Sequence, residues 1–264
     1  MAVVSVSTDQ FGPWAVVTGA SSGIGREFAR QLAACGLNVV ITGRSPVLTD
    51  IGVEIEREYG VLHRAVFVDL SKATGADRVA EATSDLDVGL LVSNAGDMVP
   101  GEFLERDLRY ALESMQLNAL SHVMLAHHYG KRLARRGRGG VVLVGGAGAE
   151  NGMPWAATHA AAKAYTNALG RSLHTEFATR GLTLTVLTPG PTRSGLQNRR
   201  SLPQAGLMAA ADCVSAALKA LRAGQVEVTP GLTARILNRL PASVSRKMAG
   251  QAMMNASTSQ PSAP

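Results

Sequence analysis

WAVVTGASSGIG, residues 14–25, sets a short apolar run against a glycine-rich turn, and its last residues open an apolar pattern of helical spacing: Phe28, Leu32 and Cys35, closed by Gly36. A short apolar run bounded by turn residues predicts a buried strand, and the spacing after it predicts a helix over 25–36. Glycines between a strand and a helix let the backbone turn tightly and approach a pyrophosphate. The helix N-terminus adds unpaired N–H groups and the positive end of its dipole. Gly19, Ser21, Ser22, Gly23, Ile24 and Gly25 are therefore candidate dinucleotide-binding residues.

The same alternation continues along the chain. Further strands are predicted at 37–42, 62–68, 88–93, 140–144, 182–187 and 226–229. Helices are predicted at 46–60, 73–85, 105–115, 118–136, from the 141–169 stretch to about 180, and at 210–223. Strands alternating with helices make βαβ units, hence an α/β fold: a doubly wound parallel sheet of seven strands in a three-layer α/β/α sandwich. The strands read as continuous apolar runs, as strands covered on both faces do. Such sheets bind ligands beyond the carboxyl ends of their strands. Residues 1–254 are expected to form a single domain, with a core at about 14–230 and a basic amphipathic extension at 231–254. Residues 190–206 read as a mobile loop over the site, and 255–264 as a disordered tail.

Length and composition bound the rest. The 264 residues carry no internal repeat and suit one large domain. No run of 18 apolar residues exists, and the first residues lack the basic and apolar regions of a secretory signal. Cys35 and Cys213 sit far apart in apolar helical patterns and read as free thiols of a cytoplasmic protein. The net charge is +6, concentrated in KRLARRGRG (residues 131–139) and in Arg235, Arg239, Arg246 and Lys247. No aromatic residue interleaves the first cluster, so solvated helix ends are expected rather than a nucleic-acid face. The C-terminal basic stretch is expected to pack at a subunit interface or over the substrate loop; contact with a membrane surface is the alternative. His122, His127 and His128 lack the i, i+4 spacing and neighbouring ligands of a metal site, and none is expected. His63 and His174 look incidental.

Residues that end strands carry the remaining signals. Arg44 ends the second, where an acid would accept a ribose 2′-OH; its guanidinium suits a 2′-phosphate, and so NADP(H). Asp69 and Leu70 end the third, where a short acid can meet the adenine amino group. Ser93, Asn94, Ala95 and Gly96 end the fourth, where small residues let a cofactor lie against the backbone. Taken together, these marks resemble the short-chain dehydrogenase/reductase family. TGASSGIG matches its cofactor loop in full, and SNAG matches its NNAG motif with one change. Asn118 stands where the family has an asparagine. Thr188, Pro189 and Gly190, with Thr192 and Ser194, match the segment that closes over the nicotinamide. The resemblance covers about residues 14–230. It implies a Rossmann-type domain, a nicotinamide cofactor, a small carbonyl or alcohol substrate, and a homodimer or homotetramer built on the two long central helices.

The family's chemistry rests on a Ser, a Tyr and a Lys, assisted by the Asn. The Lys holds the nicotinamide ribose and lowers the Tyr pKa, the Tyr moves the proton, and the Ser hydrogen-bonds the reacting oxygen. Lys163 matches the lysine. Four residues before it stands His159 instead of Tyr, and thirteen before that Gly146 instead of Ser. Tyr165 lies six residues past His159, on another face of the helix. Imidazole can pass a proton near neutral pH, and a neutral ring can donate one hydrogen bond. A backbone N–H or a water could replace the missing hydroxyl at Gly146. Two readings follow. The first is an NADP(H)-dependent oxidoreductase with Asn118, His159 and Lys163 as its catalytic residues. The second is an NADP(H)-binding module, a sensor or scaffold without turnover, in which His159 merely fills the tyrosine's space. Non-redox chemistry with His159 as base is a third.

Overall fold

Each predicted apolar run becomes a strand, and the polar turns between them all fall outside the sheet. In the computed structural model, which describes residues 6–193 and 207–258, the strands are β1 (Trp14–Thr18), β2 (Asn38–Gly43), β3 (His63–Phe67), β4 (Val88–Ser93), β5 (Gly139–Val144), β6 (Leu182–Leu187) and β7 (Glu227–Val228). They form one sheet in the order β3-β2-β1-β4-β5-β6-β7, with every neighbouring pair parallel. The winding reverses between β1 and β4, so the carboxyl ends of these two strands flank the crevice where such sheets take ligands.

Helices cover both faces. Residues next to one another in a strand point to opposite layers. Val17, Ile41, Leu90 and Val142 pack under Phe28 and Leu32 of α2 (Gly23–Ala34), Leu48 of α3 (Val47–Tyr59) and Leu218 of α8 (Ala210–Arg222). Val16, Val40, Leu91 and Leu143 pack under Val79 of α4 (Gly75–Glu81) and Leu125, Tyr129 and Leu133 of α6 (Ser121–Arg136). Gly170 of α7 (Ala157–Ala178) lets that helix approach β6: a Cβ there would lie 2.3 Å from Val186 Cγ2. A short α1 (Thr8–Phe11), capped by Ser7, drives Phe11 under the sheet against Gly140, where a Cβ would meet the ring at 2.6 Å.

Several expectations need correcting. The helices read as separate at 105–115 and 118–136 are continuous: α5 (Leu108–Met115) passes into α6 through a π-helical turn, Gln116–Leu120. Such turns carry one extra residue and loosen the backbone ladder. Here the turn buries Asn118 and frees its carbonyl to accept from Thr166 Oγ1 at 3.0 Å. The C-terminal stretch read as one amphipathic unit is two helices, α9 (Leu232–Arg239) and α10 (Ala242–Thr258), parted at Pro241. The tail read as disordered from 255 is helical as far as Thr258, with Ala256 buried, and residues 259–264 lie outside the described part. Most of the loop read as mobile, 194–206, also lies outside it.

The basic cluster at the end of α6 is mainly structural. Arg132 donates to the carbonyls of Thr83 (3.0 Å) and Leu86 (2.6 Å), Arg136 to that of Gly12, and Arg138 to that of Asp9 (3.0 Å). These arginines stitch α6 to α1 and to the turn before β4. Cys35 and Cys213 are free thiols. Among the described residues, no helix is long and apolar enough to cross a membrane.

Candidate active site

The crevice is built by one side chain at the end of β1. The buried Thr18 hydroxyl accepts from the backbone N–H groups of both Asn94 and Ala95, each at 2.9 Å, and Asn94 Nδ2 donates back to the Thr18 carbonyl at 2.9 Å. This latch brings the turn after β1 against the turn after β4. Gly19, at φ +67°, fits there because a Cβ would lie 2.9 Å from Ala95 Cα; Gly25 fits because a Cβ would lie 2.2 Å from the Gly19 carbonyl. Ser22 precedes α2 in extended conformation and makes no side-chain cap. The first-turn amides of α2 are thus left to an external anion, and the glycines leave room for one, so the residues present fit a dinucleotide diphosphate. Ser21 stands beside Gly43, while Ile24 turns back into the core.

Arg44, Asp69 and Leu70, the residues expected at an adenosine end, lie beyond β2 and β3. Arg44 is exposed, 3.7 Å from Asp69. Burial opposes ionisation of Asp69, but the hydroxyl and N–H of Ser71, with Arg44 and Lys72 nearby, outweigh it and hold the carboxyl below its usual range. Leu70 is buried, so only its backbone can face a ligand.

The opposite end gathers around α7. Lys163 is buried and donates to the Val144 carbonyl at the end of β5 (2.8 Å); loss of hydration lowers its pKa to about 8. Gly96 runs against it, since a Cβ would lie 3.3 Å from Lys163 Nζ and 2.7 Å from Asn118 Oδ1. The side chain of Asn118 brackets the next peptide: Nδ2 donates to the Asp97 carbonyl (2.9 Å) and Oδ1 accepts the Asp97 N–H (3.2 Å). That carbonyl also lies 3.1 Å from Nδ1 of His159, one turn before Lys163 on α7. A carbonyl can only accept, so Nδ1 carries the proton and Nε2 of the neutral ring is an acceptor. The hydrogen bond that a neutral His159 was expected to donate is therefore already given to Asp97. Asp97 itself escapes sequence reading, because it acts through its backbone.

His122, given no role by the sequence beyond the absence of a metal site, is fully buried, with Nδ1 2.8 Å from Ser93 Oγ. Burial first, then the charge of Lys163, hold its pKa well below the usual histidine range. Among the described residues, no three His, Cys, Asp or Glu side chains converge as metal ligands would.

The segment expected to face a substrate follows β5. The amides of Gly145, Gly146 and Ala147 donate to the Leu187 carbonyl (2.8 Å), Asn167 Oδ1 (3.2 Å) and the Pro189 carbonyl (3.1 Å). Asn167 Nδ2 returns a bond to the Gly146 carbonyl (3.0 Å) and holds Glu150 (2.9 Å). The Gly146 N–H, an expected substitute for the missing hydroxyl, is thus spent on Asn167, a residue the sequence reading passed over. Beyond it lies a cavity of about 220 Å³ lined by Val99, Phe103, Tyr110, Trp155, Thr158 and His159. Pro189 and Gly190 follow β6; a Cβ on Gly190 would lie 2.8 Å from Ala234 Cβ, so α9 covers this segment. Thr192 is buried, its hydroxyl on the Gly190 carbonyl (2.9 Å), and Ser194 lies outside the described residues.

Comparison with known proteins agrees with this layout. Residues 13–205 match the model of the short chain dehydrogenase family. A 7beta-hydroxysteroid dehydrogenase of Clostridium sardiniense is 30% identical over 200 residues, 75% of this chain and 77% of that protein. The 17-beta-hydroxysteroid dehydrogenase type 3 of Mus musculus is 33% identical over 182 residues, 67% of this chain but only 59% of that protein. Among solved structures, a short-chain dehydrogenase from Sphingobium yanoikuyae in complex with NADPH superposes with a TM-score of 0.77 at 25% identity, covering 92% of this chain and 95% of that one.

The neighbouring glycines of the loop after β5 should respond unequally to a methyl group. At Gly145 a Cβ would lie 1.7 Å from Asn167 Oδ1; at Gly146 it would lie 3.4 Å from Lys163 Cβ. Chemical denaturation should find Gly145→Ala destabilised by about 1–3 kcal/mol and Gly146→Ala changed by less than about 1 kcal/mol.

Proposed function

This chain belongs to the short-chain dehydrogenase family, and on that premise we propose that it is an NADP(H)-dependent oxidoreductase that interconverts a secondary alcohol and a carbonyl, with His159 handling the proton. The observation that carries this reading is the Asp97 carbonyl, which orients the His159 ring one helical turn from a buried lysine. The family relationship and the hydroxysteroid dehydrogenases among the relatives support it. The aromatic and apolar lining of the cavity suits a bulky, largely apolar substrate.

In this reading the amides at the start of α2 hold the diphosphate, Arg44 the 2′-phosphate, and Lys163 the ribose beside the nicotinamide. The cofactor, when bound, accepts or supplies the hydride. His159 handles the proton, and its tautomer sets the direction it serves most easily. With Nδ1–H on Asp97, the neutral ring accepts the alcohol proton at Nε2 and acts as a general base for oxidation. In reduction it must first become imidazolium. Asn118 positions His159 through the Asp97 peptide, and its own carbonyl has a second lone pair for a water on the way to Lys163.

A second copy of the chain is the proposed partner. Leu108 and Leu112 of α5 and Tyr165 of α7 stand exposed and suit burial against a symmetry mate. The free thiols fit the cytoplasmic location expected from the sequence.

One observation favours the other reading, a cofactor-binding module without turnover: Gly146 has no side chain to polarise a carbonyl, and its N–H is already bonded. A panel of bulky secondary alcohols with NADP+ separates the two. Turnover that drops by about 10²–10⁴-fold in His159→Phe, with cofactor affinity unchanged, is expected. Tight NADPH binding with no turnover across the panel would establish the module instead.

Arg44 sets cofactor choice. NADPH should bind more tightly than NADH, and Arg44→Ala should cost NADPH about 1.5–3 kcal/mol, the worth of hydrogen bonds to charged groups, while leaving NADH nearly unchanged. Calorimetry of the four pairs checks this.

Lys163 gives cofactor binding a pH signature. Burial alone brings its pKa to about 8 in the protein without cofactor. A ribose and phosphates favour the ammonium, so bound cofactor raises that pKa. NADPH affinity should then be level below about 8 and fall above it, by at most about tenfold per pH unit. Lys163→Met should bind more weakly with a level profile between about pH 7 and 9.5, read by NADPH fluorescence.

A further inference from the structure

From Leu232 onward the chain carries four basic residues and no acidic one. Two of the four, Arg246 and Lys247 on α10, line a cavity of about 380 Å³ between that helix and the turn at Pro154 and Trp155; Ser243 and Met254 also contribute. Arg246 Nε donates to the Asn151 carbonyl at 3.0 Å, which fixes the guanidinium plane. Among the described residues, neither Arg246 nor Lys247 forms an ion pair, in contrast to Arg26, Arg64 and Arg171, each of which meets a carboxylate. Two unmatched cations thus face a cavity whose opposite wall is proline and tryptophan.

Trp155 connects this cavity to the chemistry. It lines both this space and the smaller cavity that holds His159. Its backbone is held at φ +60°, a conformation that a large side chain adopts only under constraint, and its carbonyl accepts the Gly101 N–H at 2.7 Å. The turn is therefore fixed from the side of the smaller cavity, and its tryptophan borders both spaces.

We infer that the cavity between α10 and Trp155 is an anion subsite of the substrate cleft. It takes the carboxylate or sulfate of an elongated apolar molecule whose alcohol or carbonyl reaches His159. The apolar wall selects an amphipathic organic anion over inorganic phosphate, which would gain nothing from tryptophan and proline. Exposed charges each contribute modestly, so the subsite sets preference among substrates rather than affinity as a whole. The inference rests on the oxidoreductase reading for the orientation of the substrate, but not for the binding of the anion.

The test is binding, separate from turnover. The probes are 9-oxodecanoate and its methyl ester, titrated by calorimetry at low ionic strength into the full-length protein saturated with NADP+. The acid should bind about five- to tenfold more tightly than the ester, as two partly desolvated charge contacts allow. Arg246→Gln with Lys247→Gln should remove that preference while leaving ester affinity and melting temperature unchanged. Equal binding of acid and ester, binding of neither, or a preference that survives the double variant would overturn the inference. So would loss, in the same variant, of binding to anionic lipid vesicles by a protein that ignores the keto acid, since α10 would then serve a membrane. An acid preference without any turnover of the corresponding hydroxy acid would leave the subsite standing and count against the oxidoreductase reading. Turnover without an acid preference would do the reverse.

Discussion

The buried hydroxyl of Thr18 accepts two consecutive backbone amides from the strand on the far side of the switch point. A parallel sheet leaves the carboxyl ends of its strands without sheet partners, and those of β1 and β4 must diverge because their connections leave in opposite directions. The latch satisfies two amides that would otherwise be buried unpaired, at a cost of about 1–3 kcal/mol each. It also fixes the path of the chain after β4. With Asn94 and Ala95 held, Gly96 is brought against Lys163 and Asp97 against Asn118 and His159. One threonine therefore ties the glycine turn after β1 to Lys163, Asn118 and His159, although the two groups lie on opposite halves of the sheet.

Lys163 and His159 differ because their surroundings differ. Lys163 reaches into the sheet and ends on a backbone carbonyl with no carboxylate beside it, so burial goes uncompensated and the pKa drops from 10.5 to about 8. That drop means roughly 3 kcal/mol against the ammonium form. Such a lysine gains from any ligand that supplies hydroxyl and phosphate oxygens. His159 sits one turn earlier and less deeply, where a backbone carbonyl fixes the tautomer without fixing the charge. Asn118 stands behind both. The π-helical turn that breaks the regularity of its helix turns its side chain onto the Asp97 peptide and its carbonyl toward α7.

The strands were legible because doubly covered strands must be apolar throughout, and the glycine turn because few residues tolerate φ +67° at Gly19. The positions of Gly19 and Gly25 follow from those two constraints, whereas Lys163 and His159 were legible only through the resemblance to the family's motif. What escaped the sequence acts through backbone or through packing. Asp97 contributes a carbonyl that every residue possesses. Asn167 is one polar residue in a helix full of them, and only the fold shows that it clamps Gly146. The π-helical turn at Gln116–Leu120 leaves the apolar period interrupted, which reads as a break between helices. The end of α10 has too few large apolar residues to signal a helix, yet Ala256 is buried.

The match to the family model ends at residue 205, and both C-terminal helices lie beyond it. Their placement is specific: α9 rests on Gly190, after β6, and α10 on Pro154, in the turn after β5. A Cβ at Gly190 would lie 2.8 Å from Ala234 Cβ, and one at Gly250 would lie 3.1 Å from Pro154 Cγ, so small residues permit both contacts. The crevice between β1 and β4, by contrast, is assembled entirely from residues within the matched part. A fold divided in this way lets α9 and α10 change without disturbing the latch at Thr18. The separation also follows from physics, because the turn at Gly19 is closed by backbone contacts that leave no room for an added atom, whereas α9 and α10 meet the rest of the chain through small side-chain contacts that substitution can retune one at a time.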